Sequence, residues 1–165
     1  MSYSALYHMT KGADYRTQCE PFAEYKNSWG FGLMVWKTLW ERHCAADPAE
    51  PFNLFYNCDD VWNLPHSGKM ESFEMFVLMS TFDGAVMQSH TLEKLATFYE
   101  EFTSSYASAL GGKIWHGVEI AKDLRILLEE HPGEDACFMV NSVSGIGIHE
   151  PWYIEDGIAS LKIKT

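Results

Sequence analysis

The sequence predicts an α+β domain, an antiparallel sheet packed by about three helices. Three observations predict it. An alternating segment opens the chain, and strand-like runs recur in its middle and near its end. Three longer segments carry apolar residues at helical spacing. The two kinds of segment are interspersed without regular alternation, which argues against the parallel sheet of an α/β fold. A chain of 165 residues that is 47% hydrophobic and 21% charged fills one such core unaided. No internal repeat or long linker divides it, so residues 1–165 read as one domain.

Tyr3–Met9 alternates, with Tyr3, Ala5, Tyr7 and Met9 on one side and Ser4, Leu6 and His8 on the other, which predicts a strand closed by a turn at Lys11-Gly12. Ser28–Cys44 predicts an amphipathic helix. Trp29, Leu33, Trp36 and Trp40 share a stripe, Val35 and Leu39 lie alongside, and Ser28 is placed to cap it. Ala45–Pro51 reads as a loop because two prolines follow the helix. Phe73–Phe82 is a dense apolar run, followed by Asp83-Gly84 and Ala85–Gln88, which predicts a hairpin. Ser89 or Thr91 caps a second helix, whose stripe is Leu92, Leu95, Ala96, Tyr99, Phe102 and Tyr106. After Gly111-Gly112 a third helix runs from about Ile114 to Glu130 on Val118, Ala121, Leu124 and Leu128, and Pro132-Gly133 stops it. Strands are predicted at Ala136–Ser142 and, after an Asp156-Gly157 turn, at Ile158–Ile163.

Charge narrows the function. The net charge is −11, and residues 70–161 carry all of it, with four basic and fifteen acidic side chains. Direct binding to a phosphate backbone or to an anionic membrane needs clustered Lys and Arg, so neither is expected. The longest apolar run, Trp29–Trp36, is too short to span a bilayer. Met1–Thr10 has no basic region followed by an apolar one, so a cytoplasmic protein with reduced thiols is expected. Cys19, Cys44, Cys58 and Cys137 show no metal-finger or thioredoxin spacing and read as small buried hydrophobes.

Motifs for catalysis are sparse. Gly145-Ile146-Gly147-Ile148-His149-Glu150 joins glycines to a histidine and a carboxylate, and a small hydrolase would use His149 and Glu150. It lacks the third glycine of a dinucleotide loop. Val140–Gly145 lacks the first glycine of a nucleophile elbow. His43 and Cys44 are neighbours at a helix end. They point about 100° apart, and the negative helix terminus raises a thiol pKa, so a Cys–His nucleophile is not encoded. His66, the Asp59-Asp60 pair, and His116 with Glu119 are the metal-ligand types in reach, but two ligands on a face recur by chance. No metal and no cofactor is expected.

Protein recognition has better support. Trp62 follows Asp59-Asp60 in a loop-like context, an aromatic anchor rimmed by acids. Glu129, Glu130, Glu134 and Asp135 crowd around His131 at a helix C-terminus, where carboxylates oppose the helix dipole. Asn27-Ser28-Trp29-Gly30 leading to Val35-Trp36, then Val77–Asp83, then Val140–Ser144, resemble small uncharacterised acidic proteins of tailed bacteriophages over about a third of the chain. The resemblance implies a small protein at work in a bacterial host cytoplasm and aimed at a host protein. It carries no functional residue. The expected function is a non-catalytic acidic module that inhibits a basic or nucleic-acid-binding partner, with DNA mimicry as its extreme form. The binding residues are then Asp59, Asp60, Trp62, Glu129, Glu130, Glu134 and Asp135. A hydrolase and a self-assembling homo-oligomer are the alternatives.

Overall fold

Six strands and six helices occur in residues 3–9, 20–26, 29–82, 85–142, 152–154 and 161–163, the part of the chain described by the computed structural model. Their order is β1 (Tyr3–Met9), β2 (Glu20–Lys26), α1 (Trp29–His43), α2 (Leu54–Asn63), α3 (Ser72–Ser80), β3 (Ala85–Met87), α4 (Leu92–Ser105), α5 (Ala107–Leu110), α6 (Ile114–Glu130), β4 (Asp135–Ser142), β5 (Trp152–Ile154) and β6 (Leu161–Ile163). The strands form one sheet in the order β2-β1-β4-β3-β5-β6, antiparallel except for the β3–β5 pair. The α+β class is as expected, with more helices than the three anticipated.

Register explains how the sheet is buried. Tyr7 pairs with Cys137 and Cys137 with Val86, a row across three strands. His8, Ala136 and Met87 form the next row, on the opposite face. Leu6, Ala85, Met87 and Ala136 join the main core with the helices. Ala5, Tyr7, Met9, Val86 and Cys137 on the other face are buried as well. The alternation in β1 therefore separates two apolar faces, not a wet face from a dry one.

Two segments depart from expectation. Phe73–Phe82 is not the first strand of a hairpin, because Ser72–Ser80 is helical. Phe73, Glu74 and every residue from Phe76 to Ser80 are buried, so the helix is enclosed on nearly all sides and shows no stripe. A reciprocal capping box starts it, in which Glu74 accepts from the Glu71 backbone N–H at 2.9 Å. Asp83-Gly84 lies outside the described residues. The second departure is α2, where a loop-like context was expected around Trp62. Asn53 caps this helix, its Oδ1 accepting from Phe55 N at 2.9 Å. The 310 turn Leu64–His66, with Pro65 buried, closes it.

Smaller differences are matters of phase. In α6 the buried line is Gly117, Ile120, Ala121, Leu124 and Leu127, while Val118 is exposed. Gly117 sits against α4 so closely that a Cβ there would collide with Thr103 Oγ1. In α4 the expected stripe is buried from Leu92 to Phe102. Thr91 stands at its N-cap position, but the Thr91 hydroxyl donates to Gln88 O. Of the predicted turns, Gly111 and Gly133 have positive φ, +53° and +82°. Ser28, Lys11-Gly12 and Asp156-Gly157 lie outside the described residues.

Candidate functional site

α2 presents the most unusual surface. Its buried side is Val61. At about 100° per residue, the outward arc runs through Trp62, Phe55, Asp59, Asn63, Tyr56 and Asp60 in that order. Phe55 is 88% exposed and Tyr56 83%, so two aromatic rings stand in water on either side of Asp59. The edges of the arc are tied down. Trp40 Nε1 donates to Asp60 Oδ2 at 3.0 Å, joining α1 to α2. Trp62 stacks on Phe82 with ring centroids 4.2 Å apart and remains 38% exposed.

The acids around His131 divide differently. Glu129 and Glu130 are exposed in the last turn of α6. Asp135 Oδ1 accepts from Ser89 N at 2.9 Å and so braces the start of α4. Glu134 belongs to a cluster. His131-Pro132-Gly133-Glu134 forms a type II turn, with Pro at its second position, Gly133 at φ +82° and Glu134 N bonded to His131 O at 3.1 Å. The turn brings His131 Nδ1 to 3.3 Å from Glu134 Oε2. The β1–β4 register sets His8 beside Ala136 and diagonal to Glu134, and His8 Nδ1 lies 2.6 Å from the same oxygen. The imidazoles of His8 and His131 stack at 4.0 Å. This is the group of His, Cys, Asp and Glu among the described residues whose ligand atoms converge as a metal would require, all within 4.8 Å of one another.

A second polar cluster is buried. Glu74, 1% exposed, receives His43 Nε2 at 3.1 Å, Arg42 Nε at 3.3 Å and the Tyr106 hydroxyl. It joins α1 and α3 to the end of α4. His43 is thereby turned toward Glu74. Burial, with the Asp60 charge adding to it, pushes the Cys44 thiol up. Both facts oppose a Cys44 nucleophile. His116 Nδ1 is 4.0 Å from Glu119 Oε2 and has no hydrogen-bond partner among the described residues. Burial holds its imidazole below the ordinary histidine value. His66 is exposed. His149 and Glu150 lie outside the described residues.

No family model, curated protein or solved structure matches the chain.

The geometry adds four residues to those read from the sequence. Phe55 and Tyr56 needed only the recognition of Asn53 as a cap, since a helix starting there turns both outward. Glu74 is the one acid inside an apolar run, and a buried carboxylate requires partners. His8 and Glu134 are 126 residues apart, and only strand pairing joins them.

Among the described residues no helix is long and apolar enough to cross a membrane.

Proposed function

We propose that the protein is a non-catalytic binding module for a basic protein and that the outer face of α2 is its docking element. The observation that carries this reading is the pair Phe55 and Tyr56, 88% and 83% exposed, flanking Asp59 on one helical face. Exposed aromatics on the same helical face as an acid supply what interface anchors need, a large apolar area with a charge that fixes orientation. The net charge of −11 selects a partner of opposite sign and speeds the encounter. Glu129 and Glu130 add to that field from the end of α6. A partner that normally grips a nucleic acid has the required positive surface, so occupying it inhibits. On the resemblance to small bacteriophage proteins, the partner in this reading is a bacterial host protein.

The test immobilises the full chain and its Phe55→Ser/Tyr56→Ser variant and passes a bacterial lysate over both at low and at high salt. A basic protein retained by the native chain, released by salt and not retained by the variant supports the reading. Equal retention on both chains overturns the α2 site, and a captured partner without a basic surface overturns the charge argument. A mass that rises with concentration in the native chain alone replaces the partner by a second copy and overturns the reading as well.

A further inference from the structure

We propose that His8, His131 and Glu134 form a binding site for a divalent transition metal of the zinc class. This goes beyond the docking role of α2 and does not depend on it. The donor set is two imidazole nitrogens and one carboxylate oxygen, which suits zinc and its neighbours and not calcium or magnesium, whose ligands are oxygens.

The spacing fits. Donors about 2.0–2.1 Å from a tetrahedral ion lie about 3.3–3.4 Å apart, and around an octahedral ion about 2.9 Å. His131 Nδ1 and Glu134 Oε2 are 3.3 Å apart and His8 Nδ1 and Glu134 Oε2 2.6 Å. The third separation is within 4.8 Å. The Nδ1 lone pairs lie in the ring planes, so the two imidazoles turn out of their stack for all three atoms to bind one ion.

The scaffold holds the ligands in place before any ion arrives. His8 is fixed by the β1–β4 register, and His131 and Glu134 by the type II turn between α6 and β4. The imidazoles stack 18° from parallel with both Nδ1 atoms within reach of Glu134 Oε2, and the Phe22 ring stands edge-on to His131. The side chains of His8, Glu134 and His131 are 14%, 20% and 31% exposed, sheltered yet reachable from solvent. Each imidazole would coordinate as the neutral ring through Nδ1 with its proton on Nε2. Three protein ligands leave a position for water or an outside donor. The ion would fasten β1, β4 and the end of α6 together.

Equilibrium dialysis of the full chain against Zn2+, with bound metal measured by atomic emission, tests the site. One ion per chain is expected. Loss of an outer-shell partner of a metal costs about 10–100-fold in affinity, so His131→Ala and Glu134→Gln, each removing a ligand, are expected to cost about a hundredfold or more. His66→Ala, at an exposed histidine outside the cluster, is expected to bind as the native chain does. Circular dichroism confirms that the variants fold, and Zn2+ is expected to raise the thermal midpoint of the native chain and not of the two ligand variants. Failure of the native chain to retain zinc overturns the site. So does undiminished binding by folded His131→Ala and Glu134→Gln, because the ion then lies elsewhere.

Discussion

Glu74 ties α1, α3 and the end of α4 together. Its carboxylate is 1% exposed and is reached from Arg42, His43, Tyr106 and the Glu71 backbone. Glu74→Ala leaves those donors facing a cavity, and about 3 kcal/mol of stability is expected to go, read from urea denaturation. The phenols make a second residue-scale prediction. Burial is the leading cause that raises Tyr25, Tyr99 and Tyr106 above the ordinary tyrosine value. Asp123 adds to it at Tyr25 and Glu74 at Tyr106, whereas the bond to Ser80 opposes it at Tyr99. A raised folded value means that the fold prefers the protonated phenol. That preference contributes fully below the unfolded value of about 10 and is lost as pH rises above it. Urea midpoints are expected to fall above about pH 10 in step with the tyrosinate absorbance band, and an unchanged midpoint there would contradict the burial of these hydroxyls.

At the scale of elements, legibility followed periodicity. β1, α1, α4 and β4 appear within two residues of where their patterns place them. α3 was illegible as a helix because it is buried almost all round, and an apolar run of that length has no period to separate helix from strand. α6 was legible in extent and its phase only in part, with Ala121 and Leu124 on the buried line and Val118 off it. The stripe read from Val118 and Leu128 is rotated toward Gly117, the residue that lets α4 come close. Gly117→Ala is therefore expected to destabilise by about 1–3 kcal/mol through overpacking on Thr103. In a Thr103→Ala background the obstructing hydroxyl is absent, and the next contact, Phe31, is at 3.6 Å. There the same substitution is expected to stabilise by about 0.5–1 kcal/mol through helix propensity. A double-mutant cycle in which its sign does not change would remove Thr103 as the cause.

For the whole molecule, one hydrophobic cluster joins β1, β2, β3 and β4 to all six helices. A single cooperative unfolding transition is expected, with coincident circular dichroism and tryptophan fluorescence curves. The α2 face lies outside that core. Phe55→Ser/Tyr56→Ser is expected to change stability by no more than about 0.5 kcal/mol while removing partner binding, which separates docking from folding. The acidic surface is not uniformly available to a partner. Arg125 bonds Glu93 at 2.9 Å and Glu100 at 2.6 Å, and its bond to Glu100 holds that carboxyl below its ordinary value. Asp60, Glu134 and Asp135 likewise have partners within the fold, whereas Glu129 and Glu130 stand exposed.

Local pattern determined the α+β class, the ends of β1, α1, α4, α6 and β4 and the excess of acid, because propensity, capping and composition act over a few neighbouring residues. Tertiary structure decided which acids are bonded within the fold, since that depends on partners such as Trp40, Ser89 and Arg125 brought from distant segments. It also decided the convergence of His8 on His131 and Glu134. Strand register sets that meeting, and register is a property of two segments together that neither carries alone.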